Sequence, residues 1–120
     1  MKPKYHFYSN TIYALSGLKT MVKNERSFKI ELFIITPLFI VIWFLPLSSI
    51  EQIILGASLL FILAMECVNS AIEACIDLIS PDFHPLAKVA KDCGSAAVFI
   101  SICTAVLAWG VRLFGAVSNA

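Results

Sequence analysis

The sequence predicts an all-α membrane protein, with an amphipathic helix on the membrane surface followed by three transmembrane helices. Three observations lead there. Of the 120 residues, 59% are hydrophobic and only 14% charged, whereas a soluble domain carries roughly a quarter charged residues. Three long runs, residues 32–47, 52–65 and 93–111, contain no charge at all. The basic residues are also segregated to one side of those runs. The length is that of a single domain, 1–120. A net charge of +1 offers no basic excess to neutralise phosphates, which argues against nucleic acid as a partner.

Residues 5–29 make the surface helix. Tyr8, Ile12, Leu15, Met21 and Val22 recur at helical spacing, and Lys19, Lys23 and Arg26 follow i, i+4, i+7 on a basic face. Those lysines can meet anionic lipid, and anchoring accounts for most of that face. Met1–Lys4 is not followed by an apolar core and a small-residue cleavage site, so no signal peptide is expected. The first span covers about 30–47, with Pro37 as a kink candidate and Pro46 near its exit. The second covers 49–79, starting near Ser49 and running past the bilayer core into polar sequence. A loop over 80–92 carries Lys88 and Lys91, and the last span covers 93–114. Each run approaches the 17–25 apolar residues that a hydrocarbon core of about 30 Å requires. Cys67, Cys75, Cys93 and Cys103 show no CxxC or Cys/His spacing and read as small buried hydrophobes.

Lys2, Lys4, Lys19, Lys23, Arg26 and Lys29 precede the first span, and Lys88 and Lys91 lie between the second and third. Only Arg112 lies towards the other end. The positive-inside rule then places the N-terminus and the 80–92 loop in the cytoplasm and the C-terminus outside.

Function is written at the end of the second span, in ECVNSAIEACID, residues 66–77. Glu66, Asn69, Glu73 and Asp77 stand at i, i+3, i+7 and i+11, on one face of a helix. Glu66 lies about 25 Å along a helix that starts at Ser49, near the inner edge of the hydrocarbon, and Glu73 lies roughly 10 Å further on, at the headgroup or water level. An ionisable group at membrane depth is a functional candidate by default. A single polar residue could serve as interhelical glue. Three acids on one stripe repel one another, and a cation or a set of phosphates relieves that. Lys88, Lys91, Asp92 and Ser95 form a second polar cluster, and Glu25 and Glu31 flank the first span. Carboxylates suited to Mg²⁺, a lysine suited to phosphate and a carboxylate at lipid depth point to phosphoryl transfer at the membrane surface. Neither GxxxxGK[ST] nor GxGxxG is present, so soluble kinase architectures are excluded.

ECVNSAIEACID, together with FHPLAKVAKDCGSAAV and NERSF, resembles the prokaryotic membrane diacylglycerol kinases, with their E-x-x-N-[ST]-A-[IV]-E-x-x-x-D signature. The resemblance covers most of the chain. It implies a homotrimeric, three-span helical bundle in the bacterial inner membrane that uses MgATP to phosphorylate a lipid alcohol. It makes Glu66 the general base, with Asn69 orienting Glu66 or the phosphate. It makes Glu25 and Glu73 the Mg²⁺ ligands. Tyr13, the Asp82–Phe83–His84 segment, Lys91 and Asp92 match nucleotide contacts, and Glu31 and Ser95 match positions near the lipid headgroup. This chain has His6 where the family carries an arginine near the nucleotide, and Ile30 in place of a glutamine near the headgroup. Burial at the lipid edge is expected to tune Glu66 as a base.

Two substrates fit this pattern. HPLAK resembles the undecaprenol kinase branch, whereas KDCGSAAV and Glu31 lean towards diacylglycerol. A small proton-coupled transporter is a reading from another class, but it wants its carboxylate near mid-bilayer and no nucleotide site. A structural membrane subunit is a third.

Overall fold

The computed structural model describes residues 6–118, which form four α-helices: α1 (Phe7–Asn24), α2 (Arg26–Val41), α3 (Ser49–Ile79) and α4 (Pro85–Ser118). Lys2 and Lys4 lie outside the described residues. Among the described residues there is no strand. Two helices, α3 and α4, are long and apolar enough to cross a membrane.

Packing centres on α3 and α4, which run antiparallel across a short turn. The buried positions on α3 include Leu55, Leu59, Ile62, Glu66 and Asn69, at i, i+4, i+7, i+11 and i+14, with Gly56 and Ser58 beside them. The polar stripe is therefore the continuation of the core face of α3, with Glu66 and Asn69 following Leu55, Leu59 and Ile62 on it. On α4 the facing positions are Gly94, Val98, Ser101 and Ala105. Helices in lipid gain nothing from hiding apolar surface from one another, so close approach at small residues does that work. Ser101 is fully buried, and its Oγ donates to the Val98 carbonyl at 2.6 Å. Ser58 does the same to Leu55 at 2.7 Å. Both hydroxyls are satisfied within their own helix, as a dry interface requires. Ile35 of α2 and Ile42 just beyond it complete the core.

The end of the bundle remote from the stripe is fastened by polar groups. The Ser48 hydroxyl accepts from the Glu51 N–H at 3.2 Å, while Glu51 Oε1 accepts from the Ser48 N–H at 3.1 Å, a reciprocal cap on α3. The other Glu51 oxygen pairs with Arg112 of α4, whose Nη2 donates to the Pro46 carbonyl at 3.4 Å. Elsewhere the surface is strongly apolar: Phe33, Phe44, Phe99, Leu107 and Phe114 are all well exposed.

Three expected boundaries move. The surface helix was expected over 5–29 but breaks at Glu25, whose extended backbone (φ −103°, ψ 110°) ends α1 and starts α2. The first span was expected over 30–47; the helix instead ends at Val41. Tight i to i−3 turns follow, from the Trp43 N–H to the Ile40 carbonyl and from the Phe44 N–H to the Val41 carbonyl. Pro46, which has no N–H and disfavours helical backbone at Leu45, bars the helix from running on to residue 47. With 16 residues, α2 rises about 24 Å. The loop expected over 80–92 closes by residue 84, and Lys88, Lys91 and Asp92 are helical. The cause is local: Pro85 is preset for a first helical position, and His84 Nδ1 accepts from the Leu86 N–H at 3.1 Å.

Candidate functional site

Burial falls off along the stripe in steps. Glu66 (8% exposed) and Asn69 (9%) are buried, Glu73 is half-buried and Asp77 is exposed. One side of a single helix thus passes from a closed environment to an open one within three turns. Each group has a different partner. The Glu66 carboxyl lies within hydrogen-bonding reach of Glu31 on α2. Asn69 Nδ2 donates to Glu73 Oε1 at 2.9 Å, so the amide holds Glu73 in this chain. Asp77 Oδ1 accepts from Lys91 Nζ of α4 at 2.6 Å. Lys88 takes Asp92 one turn along α4, also at 2.6 Å.

Two polar atoms of this cluster, Glu31 Oε2 and Asn69 Oδ1, are buried without a partner. Such atoms are rare in a settled structure and call for a ligand or a special role. Asn69 is also held from behind. Gly94 on α4 sits so close that a Cβ there would overlap Asn69 Oδ1, and it would lie 3.3 Å from Asn69 Cγ and 3.7 Å from Ile72 Cδ1. Glycine is what lets the two helices close on the amide.

Glu31 of this cluster also lines an apolar groove of about 410 Å³ between α2, α3 and α4, with Ile35, Leu38, Ile62, Ala105 and Trp109 among the others. A larger groove of about 650 Å³ lies at the opposite end, beside Glu51 and Arg112. It is remote from the Glu66–Asp77 stripe, so size is a poor guide here and the smaller groove belongs with the chemistry.

The remaining expected residues are dispersed within one chain. Tyr13 is exposed on α1, which packs chiefly against α2. Glu25 is half-buried at the α1–α2 break and makes no side-chain cap. Phe83 is exposed in the turn, Asp82 offers its carbonyl to Ser80 Oγ at 2.9 Å, and His84 caps α4. Ser95 and His6 are exposed. A hard cation such as Mg²⁺ takes several oxygens. Among the described residues no three acidic, histidine or cysteine side chains converge to hold one, and Glu25 and Glu73 do not close a metal site by themselves. Sequence reasoning passed over the pairing of Asp77 with Lys91, the fit of Gly94 on Asn69, and the Glu51–Arg112 clasp. The i, i+4 spacing of Lys88 and Asp92 was a usable signal for their pair.

Comparison with known proteins bears on this arrangement. The family described as prokaryotic diacylglycerol kinase matches residues 12–113, which include every expected site residue from Tyr13 to Ser95. The chain is 41% identical over 109 residues to a diacylglycerol kinase of Haemophilus influenzae, covering 91% of this chain and 92% of that one. It is 35% identical over 102 residues to a diacylglycerol kinase of Escherichia coli K12, covering 85% and 84%. An undecaprenol kinase of Bacillus subtilis is 32% identical over 94 residues, covering 78% and 76%.

Proposed function

Because the chain belongs to the prokaryotic diacylglycerol kinase family, we propose that it moves the γ-phosphoryl group of ATP to the hydroxyl of diacylglycerol, giving phosphatidic acid. The protein is a lipid kinase; the choice of diacylglycerol over undecaprenol follows the more similar relatives. The observation that carries the reading is buried Glu66 beside half-buried Glu31, which lines an apolar groove, with half-buried Glu73 and exposed Asp77 two and three helical turns further along α3.

Residue roles follow from that gradient. The lipid lies with an acyl chain in the groove and its hydroxyl at Glu66, which takes the proton as the oxygen attacks phosphorus. Glu31 and Ser95 meet the headgroup. ATP arrives from water, with Lys91 and Asp92, Tyr13 and the 82–84 turn as its contacts. Asn69 keeps Glu73 pointed at the phosphates. Glu25 and Glu73 are the carboxylates that would hold the Mg²⁺ of MgATP, which would supply neutralising charge there. Phosphoryl transfer needs mainly this positioning and charge neutralisation. The family resemblance further implies a homotrimer, with the site completed between copies. The reading further places α1 on the cytoplasmic leaflet of the bacterial inner membrane, α2 with residues 42–47 as the third span, and the C-terminus outside.

The test gives purified protein in detergent MgATP with either a short-chain diacylglycerol or an undecaprenol. Phosphate on diacylglycerol is expected, and no transfer to either lipid would sink the proposal. Glu66→Gln should abolish turnover and leave nucleotide binding intact, whereas Glu73→Gln should weaken Mg²⁺-dependent nucleotide binding. Equal loss of binding in both variants would refute the division of labour.

A further inference from the structure

Two lysines face two aspartates where α3 and α4 meet the water, and they are sorted in one way only. Lys88 pairs with Asp92 along α4, while Lys91 reaches across to Asp77 on α3. The Lys91–Asp77 side chains are 42% and 65% exposed, and an ion pair so open to solvent adds little to stability. Its effect is to decide where a flexible ammonium sits. A lysine has a four-carbon stem and no fixed geometry of its own. The other acid acting on Lys91 is Glu73, one turn up the same face of α3. Left to that carboxylate, Lys91 would neutralise the group that Asn69 holds in place at 2.9 Å.

We infer that Asp77 is a positioning residue for phosphoryl transfer: it holds the Lys91 ammonium off Glu73, so that both remain available to MgATP. This rests on the reading of Lys91 and Glu73 as nucleotide-side groups. Asp77 itself touches neither phosphate nor lipid. An aspartate suits the task because its short side chain draws the lysine down towards the water end of the helix. Arriving phosphates then compete for Lys91 against one exposed carboxylate, which they can displace, and Glu73 never has to be freed from a contact ion pair.

The experiment is steady-state kinetics on the full-length protein in detergent, with MgATP and a short-chain diacylglycerol each varied. Asp77→Asn should raise KM for MgATP by about three- to tenfold while kcat and the lipid KM stay within about twofold. Asp77→Glu, which keeps the charge, should recover most of the loss. In a Lys91→Met background, itself impaired for MgATP, Asp77→Asn should add nothing further. An unchanged MgATP KM in Asp77→Asn, with Lys91→Met impaired, overturns the inference and leaves the nucleotide reading standing. An unimpaired Lys91→Met overturns both. Parallel losses in lipid KM and in melting temperature would mark Asp77 as merely structural and also overturn it.

Discussion

Replacing Gly94 with alanine separates packing from chemistry at this site. The new methyl group would overlap Asn69 Oδ1 and sit 3.3 Å from its Cγ. Both residues are on well-formed helices, so the side chain must yield. Rotating Asn69 breaks its 2.9 Å donation to Glu73, and a hydrogen bond to a charged group is worth about 1.5–3 kcal/mol. Crowding of this kind typically adds about 1–3 kcal/mol of strain. Against these stands the better helix propensity of alanine, about 1 kcal/mol. The unfavourable effects win, and Gly94→Ala should lower the melting temperature modestly. It should lower kcat/KM for MgATP by about ten- to a hundredfold, the rate equivalent of the lost hydrogen bond. Gly110, on the same helix, has open space where a methyl group would go, with nothing within 4 Å. Gly110→Ala therefore keeps the propensity gain without the clash and should be fully active. Thermal unfolding in detergent and kinetics with a short-chain diacylglycerol read both quantities. A Gly94→Ala variant as active as the parent, and stabilised like Gly110→Ala, would refute the assignment of Gly94 as the seat of Asn69.

Two further outcomes concern the opposite end. Ser48→Ala removes the hydroxyl that accepts from the Glu51 N–H and should cost about 1 kcal/mol. Faster amide exchange in the first turn of α3, with unchanged KM values, is the expected readout. Arg112→Leu should release the turn around Pro46 from α4, raising protease sensitivity over 42–48 while leaving kcat and both KM values unaltered. Arg112→Lys should restore this only in part, because an ammonium on a single stem cannot serve Glu51 and the Pro46 carbonyl together.

What could be read from the chain depended on how local each cause was. The charge-free run before Glu66 and the i, i+3, i+7, i+11 spacing placed the stripe on one helix face, because helical periodicity alone fixes it. The pairing of Asp77 with Lys91 was out of reach: the residues are 14 apart, and their contact depends on how α3 and α4 cross. The same holds for Glu31 meeting Glu66. The bond from Asn69 to Glu73 was hidden for a subtler reason. Positions i+4 and i−3 are equally near on a helix, so spacing could not choose Glu73 over Glu66 for its amide. The early start of α4 was available in the His84–Pro85 pair but was outweighed by the charges that follow. The short α2 was available in Pro46.

The core face of α3 sets a limit on how this chain can vary. Leu55, Leu59, Ile62, Glu66 and Asn69 occupy a single unbroken register, so the position of the acids is indexed by leucines well away from them. Inserting one residue between Ile62 and Glu66 would turn the stripe by about 100° about the helix axis, away from Gly94 and Lys91. Deleting one would turn it as far the other way. A single insertion or deletion between Leu55 and Asp77 therefore misplaces the acids, whereas a length change beyond Asp77 or before Leu55 leaves this register intact.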